Sequence, residues 1–271
     1  MPVSVLVITL NEEVNLTRCL NSLSWCDDIT VLDSFSTDRT EEIAAEYNAH
    51  FFQRRFDDYA TQRNFGINQL QHKYPWLLMV DADETVPPSL ICEIRSTLMY
   101  CNDDVTLYRM RRKDYLFGKW IKRSSGYPTW FGRLIKVGKV HVERAINEEY
   151  ITTGKVGSLE SHLHHFPFAK GLDEWVTKHN RYSSMEANLI FSQNRQATSW
   201  VELFSPDPVR RRRAVKNIFY RLPFRPLLMF LALYIFRGGI LDGRAGLTFC
   251  LLRSFYEFMI NCKIKELKHN N

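Results

Sequence analysis

The chain has 271 residues, a net charge of +6, and an ordinary 24% charged and 45% hydrophobic content. That length accommodates one large α/β domain plus an appendage, and six cysteines with no C-x-x-C pair and no His at zinc-finger spacing exclude a zinc-finger protein and read as reduced thiols. The charge is uneven: from Ser205 onward thirteen bases stand against four acids, a surplus of +9, which leaves −3 for the remainder.

Met1-Pro2-Val3 runs directly into a strand, without the basic segment and cleavage site of a secretory signal, so the expected setting is cytoplasmic. Residues 3–10 are β-branched and apolar and predict a central strand. Apolar spacing at Leu16, Leu20 and Leu23 predicts a helix over 15–23, and residues 28–33 a second strand ending on Asp33. Thr37 or Asp38 can cap a helix over 39–47. A short strand at 50–52 and a helix beginning at Tyr59 follow. Then Trp76-Leu77-Leu78-Met79-Val80, a buried parallel strand by its uninterrupted apolar run, ends abruptly in Asp81-Ala82-Asp83-Glu84. Alternating strands and helices predict a mostly parallel sheet with right-handed crossovers and helices on both faces.

In a parallel sheet every strand ends on the same edge, where ligands bind in open α/β folds. Asn11, Asp33 and Asp81-Ala82-Asp83 therefore converge on one crevice although far apart in sequence. Two carboxylates separated by one residue let one take a hard divalent cation while the other faces ligand hydroxyls. Mg²⁺ is commonly held by one or two carboxylates together with substrate phosphates. There is no G-x-G-x-x-G and no G-x-x-x-x-G-K-[ST], which excludes a dinucleotide fold and a P-loop ATPase.

Four segments occur in order and at matching spacing: Val-Ile-Thr-Leu-Asn-Glu-Glu at 7–13, Asp33-Ser34-Phe35-Ser36-Thr37-Asp38, Ala60-Thr61-Gln62-Arg63-Asn64-Phe65-Gly66 and Asp81-Ala82-Asp83-Glu84. Together they resemble the inverting nucleotide-sugar glycosyltransferases of A-type fold, and within them the bacterial branch that includes lipopolysaccharide core glucosyltransferases. The resemblance implies a nucleotide-sugar pocket built from Thr9, Asn11, Glu12, Asp33, Arg63, Asp81 and Ala82. In it Asp33 holds base or ribose, Arg63 lies near the diphosphate and Asp81 faces ribose or sugar. Asp83 is implied as the ligand of a divalent cation, Mg²⁺ or Mn²⁺, and UDP as the donor's nucleotide.

Beyond residue 104 the pattern is less regular. Residues 105–110 predict a strand with Arg111 to Asp114 as its polar end, residues 115–130 an aromatic loop suited to sugar or acceptor, and residues 131–136 another strand. Direct displacement by a hydroxyl calls for a carboxylate base opposite the leaving diphosphate. The family's His-Glu pair before a Gly falls here on Asn147-Glu148, which makes Glu148 the expected base, with Glu143 as rival and Glu149 a weaker one. Adjacent His164 and His165 on a strand point to opposite faces and do not readily share one ion. His165 matches a family position near the acceptor or the metal and diphosphate. A helix over 173–189 carries Lys178 and Arg181, which the resemblance makes candidates for diphosphate or acceptor contacts.

The tail contains Arg210 to Arg213, an apolar run at 227–236 and a second segment at 247–260 interrupted by Arg253 and Glu257, with Gly238-Gly239 and Gly243 between them. A membrane-spanning helix needs about 20 apolar residues, so two short amphipathic helices lying in the headgroup plane are expected. The bases are interleaved with Leu, Phe and Ile rather than forming a polar basic face, which makes nucleic acid the weaker expectation. The expected organisation is a catalytic domain over 1–204 and a membrane-associating segment over 205–271. The expected activity is sugar transfer to a hydroxyl of a lipid-linked saccharide on the cytoplasmic side of the membrane, with polyprenyl phosphate as an alternative acceptor and nucleotidyl transfer as an alternative reaction.

Overall fold

The apolar run at the start of the chain forms β1 (Val3–Thr9), every residue of which except Ile8 is buried. The computed structural model describes residues 2–100, 102–143, 149–193, 222 and 224–269. The chain divides into two units, Met1–Tyr115 with Tyr127–Lys170, and Leu116–Gly126 with Gly171–Asn271.

In the first unit β1 is followed by α1 (Glu13–Asn21), β2 (Ile29–Asp33), α2 (Thr40–Glu46), β3 (His50–Gln53), α3 (Tyr59–Asn68) and β4 (Trp76–Asp81). β1 pairs in parallel with β2 on one side and β4 on the other, setting Thr9 opposite Asp33 and Ile8 opposite Asp81. The ends of three strands thus share one edge, as their common polarity requires. Asp58 caps α3 by accepting from the Thr61 amide at 2.9 Å. At α2 the cap position falls on Arg39, but Asp38 still accepts from the Thr40 amide at 3.1 Å.

The sheet continues through β5 (Glu84–Thr85), β6 (Val105–Leu116), β8 (Trp130–Lys136) and β11 (Lys155–His165), in the spatial order β3-β2-β1-β4-β8-β6-β11-β5. β8 runs antiparallel to both β4 and β6, and β5 antiparallel to β11, so the sheet is mostly parallel with antiparallel insertions. β9 (Val140–Glu143) and β10 (Glu149–Thr152) form a separate two-stranded ribbon. Val3, Val5, Val7, Leu78 and Val80 bury one sheet face with Leu16, Leu20, Ile43, Leu90 and Ile94 of the helices. Leu6, Leu32, Leu77 and Met79 bury the other with Ala60 and Ile67 of α3. A Cβ on Gly66 would lie 2.4 Å from Leu6 Cδ2, so the absence of a side chain there lets α3 lie close on the sheet.

Helix α4 (Pro88–Met99) was not foreseen from the apolar pattern. Its signal is Pro88 at the first helical position, where a missing N–H costs nothing, with Leu90 and Ile94 turned to the core.

The second unit contains β7 (Lys119–Trp120), α5 (Gly171–Gln193), α6 (Arg225–Leu231), a π-type turn at Ala232–Phe236, a short 3₁₀ turn at Gly239–Asp242 and α7 (Gly243–His269). The second tail helix therefore differs from the short segment expected at 247–260, since α7 has 27 residues. Its interrupting acid is turned inward: Glu257 Oε2 accepts from the buried Arg225 Nη2 at 2.5 Å, and Arg225 Nη1 donates to Asn261 Oδ1 at 2.7 Å. Lys263 Nζ is captured on α5 by Asn180 Oδ1, Ser183 and Ser184 at 2.6–2.8 Å. No single helix among the described residues is long and apolar enough to cross a membrane; the pair Arg225–Phe236 and Gly239–His269, bent by 72°, passes that test only when taken together. Arg210 to Arg213 lie outside the described residues.

Candidate active site

At the tip of β4 the chain turns through Asp81-Ala82-Asp83 into β5, and these residues join a run of alternating charges contributed by five elements. Arg63 of α3 donates to Asp81 Oδ1 at 2.8 Å. Arg133 of β8 donates to Asp81 Oδ2 at 2.6 Å and to Glu84 Oε1 at 2.9 Å. Arg112 of β6 reaches Glu84 at 3.5 Å and Asp114 at 3.1 Å. Asp114 Oδ1 lies 2.7 Å from His165 Nδ1, and His165 Nε2 lies 3.2 Å from Asp83 Oδ2. Strand register produces this run: Asp114 and His165 are opposite residues of β6 and β11, and such partners share a sheet face.

The electrostatics follow from burial and neighbours. Burial alone would raise the Asp81 carboxyl, but the Arg133 and Arg63 guanidiniums hold it well below the usual range. Burial and Arg112 favour neutral His165, yet Asp83 and Asp114 outweigh them and push it up to about 9. Glu12 is raised by burial and then by Asp83, against the opposing pull of Lys170, whose Nζ lies 2.6 Å from Glu12 Oε1. The Lys170 ammonium also donates to the Leu10 carbonyl at 3.2 Å, which brings a cation to the end of β1.

The other residues anticipated from sequence sort as follows. Thr9 and Asp33 meet across β1 and β2 at 2.9 Å, and Asp33, fully buried, also accepts from the Ser36 amide at 2.8 Å. Asn11 sits at φ +54, a conformation that Asn tolerates better than most, and its Oδ1 accepts from the Thr37 amide at 2.8 Å, locking the first two strand-end loops together. Ala82 is buried between the two aspartates. Glu148 and Asn147 lie outside the described residues. Glu143 and Glu149 face each other across β9 and β10, with His141 Nε2 3.1 Å from Glu143. Lys178 and Arg181 are exposed on α5, in the second unit.

Sequence reasoning missed Arg133, Glu84, Arg112 and Asp114 as members of this cluster. Arg133 carried a usable signal, a single charge inside the strand segment Trp130-Phe131-Gly132-Arg133-Leu134-Ile135, where burial demands a partner. The partner's identity was not legible, because Asp81 lies 52 positions away.

Asp83 offers a carboxylate oxygen of the kind that a hard divalent cation takes. His165 Nε2 lies 3.2 Å away and Asp114 orients the ring through Nδ1, but a ring pushed up to about 9 carries a proton on Nε2 that a cation would have to displace before this nitrogen could ligate. Among the described residues no group of three or more His, Cys, Asp or Glu is placed to hold a metal ion by itself. Remaining positions on a cation here would fall to phosphate oxygens and water, as is usual for Mg²⁺.

Residues 4–162 match Glycosyl transferase family 2. The chain is 30% identical to the lipopolysaccharide core biosynthesis glycosyltransferase LpsC of Rhizobium meliloti, over 98% of this chain and 93% of that protein. It is 24% identical to an uncharacterized glycosyltransferase of Rickettsia prowazekii, over 98% of this chain and 87% of that one. Among solved structures it is similar to glucosyl-3-phosphoglycerate synthase from Mycobacterium tuberculosis in complex with Mg²⁺ and uridine diphosphate, with 21% identity over 41% of this chain and 43% of that one and a TM-score of 0.35. The chain thus spans less than half the length of that solved structure.

Proposed function

The chain belongs to glycosyl transferase family 2, and from that premise we propose that it moves a sugar, with inversion, from a nucleoside-diphosphate donor to a hydroxyl of a lipid-linked saccharide such as a lipopolysaccharide core. A UDP-sugar is the proposed donor, Mg²⁺ or Mn²⁺ the proposed cofactor, and the cytoplasmic face of a membrane the proposed setting. The observation that carries the chemistry is the line Asp83–His165–Asp114 beside the ends of β1, β2 and β4. Near-complete coverage of LpsC supports the acceptor class.

Asp83 would hold the cation, joined by His165 Nε2 once its proton is displaced, and the cation when bound offsets charge gathering on the departing diphosphate. Asp114 keeps the His165 ring oriented and its Nδ1 protonated. Arg63 and Arg133 clamp Asp81 from two sides, so the backbone that carries Asp83 is fixed before any ligand arrives. The Thr9–Asp33 and Asn11–Thr37 bonds hold the ends of β1 and β2 and their loops in the same preorganised state. Glu148 would take the proton of the acceptor hydroxyl, and Glu143 is the rival base.

The test uses the full chain and a panel of nucleoside diphosphates and their sugars, read by thermal shift with and without Mn²⁺ or Mg²⁺, followed by turnover. A specific donor stabilises by mass action, and the stabilisation should need the cation. Asp83→Ala should abolish it, and unchanged donor affinity and turnover in Asp83→Ala would refute the proposal. Glu148→Gln and Glu143→Gln separate the two bases, and a silent Glu148→Gln would instead favour an acceptor that is already anionic, such as polyprenyl phosphate.

A further inference from the structure

Exposed apolar side chains occur along both helices of the second unit's tail, Phe224, Leu227, Leu251 and Phe258 among them, and the bend between those helices adds a cluster of its own. Where the pair Arg225–Phe236 and Gly239–His269 bends, Phe236 is 84% exposed, Leu241 63% and Ile240 57%. The bend depends on Gly238 at φ +73 and Gly243 at φ +64, values that a side chain would strain. Single exposed apolar residues are ordinary, but a contiguous group marks an interaction site.

The hairpin over residues 116–126 belongs to this same elbow. Buried Asp242 accepts from the Arg123 amide at 2.9 Å, the Ser124 amide at 2.8 Å and the Ser124 hydroxyl at 2.7 Å. A Cβ built on Gly238 would lie 3.0 Å from Arg123 Nη1, one on Gly243 3.3 Å from Lys119 Nζ, and one on Gly126 3.6 Å from Arg237 Nη1. The hairpin's own tip is Phe117-Gly118, both at positive φ, and Phe117 is 77% exposed. A bulky apolar residue is uncommon in that conformation. Here it costs strain and holds the ring in solvent, the arrangement expected of a residue that inserts into something apolar.

Charge identifies the partner. Lys119, Lys122, Arg123, Arg237 and Arg244 are all exposed around these apolar tips. The acids of the same segments, Asp242 and Glu257, are buried and already bonded. An apolar wedge ringed by cations, with no exposed acid among the described residues 116–126 and 224–265, fits the interface of an anionic lipid leaflet.

We infer that the hairpin tip at Phe117 and the elbow from Ile235 to Leu241 form one insertion wedge that seats the second unit in an anionic membrane surface. This rests on the membrane-side setting proposed above but not on the sugar chemistry. It also gives residues 116–126, part of the 115–130 loop expected from sequence to serve sugar or acceptor, a lipid-facing role.

The test is co-sedimentation of the full chain with phosphatidylglycerol-containing and pure phosphatidylcholine vesicles, with donor binding measured on the same samples by thermal shift. Wild type should prefer the anionic vesicles, and the preference should fall with salt. Phe236→Ser with Leu241→Ser should lower partition about tenfold or more, given the apolar area withdrawn, and leave donor binding as it was. Phe117→Ser alone should lower partition in the same direction, and Arg123→Gln with Arg237→Gln should lower it on anionic vesicles only. The inference is overturned if the Phe236→Ser, Leu241→Ser protein partitions like wild type, or if it changes the oligomeric state instead, which would make the elbow a contact between copies of the chain. Vesicle binding without cation-dependent donor binding would sink the proposed function and leave the wedge standing.

Discussion

Replacing Arg133 by Met tests whether the charge run is what holds the rim together. Met keeps much of the length and apolar stem but removes the guanidinium that bonds Asp81 at 2.6 Å and Glu84 at 2.9 Å. Glu84 is fully buried, and its other cationic contact, Arg112, is longer at 3.5 Å. Removing one partner of a buried ion pair costs about 3–5 kcal/mol, because the charge left behind stays desolvated. At ~2–4 °C per kcal/mol for a chain of this size, the melting temperature should drop by on the order of 10 °C. The assay is thermal unfolding followed by circular dichroism, with urea unfolding beside it, where the midpoint should move and the slope should not. Glu84→Gln added to Arg133→Met should recover part of the loss, since it removes the orphaned charge. Arg39→Ala, which breaks an equally short but two-thirds exposed pair with Glu42, should leave the midpoint in place. An Arg133→Met protein as stable as wild type would refute the claim that this cluster is an interdependent ion network.

Asp114→Asn should weaken apparent cation affinity in donor binding about 10–100-fold, as loss of an orienting partner does, and should also lower the urea midpoint because Arg112 and His165 lose a charged partner; a Mn²⁺ titration by thermal shift, referred to each protein's own melting point, would show the first effect. Gly66→Ala should destabilise by about 1–3 kcal/mol through overpacking, because its Cβ would meet Leu6 at 2.4 Å, and the urea midpoint reports it. Burial lowers His179 to about 4, outweighing its bond to the Trp175 carbonyl. The unfolded chain therefore takes up this proton first as pH falls from 6.5 towards 4, and stability should fall through that window by about 1–2 kcal/mol after allowance for partial solvent access. His179→Gln should flatten that part of the pH profile. Thiol labelling of the native protein should modify Cys92 quickly and Cys19 only on unfolding, since Cys19 is fully buried and its thiol is raised by burial and the neighbouring carboxylates.

Much of the first unit was legible in the sequence because its strands are buried on both faces. Continuous apolar runs mark such strands, turn residues bound them, and parallel pairing then forces Asn11, Asp33 and Asp83 onto one edge without knowledge of any contact. The motif Asp81-Ala82-Asp83 could be placed at a strand tip for the same reason. What residue order does not record is register between distant strands. Only the tertiary structure set Asp114 opposite His165 and gave Arg133 its partners, because these pairs lie about fifty positions apart. In the second unit Glu257 read as an interruption of an apolar face, since helical periodicity describes one helix at a time. Packing supplied the buried Arg225 from a second helix, and Asp242 drew the 116–126 hairpin into the helical unit through amide bonds that no side-chain pattern encodes.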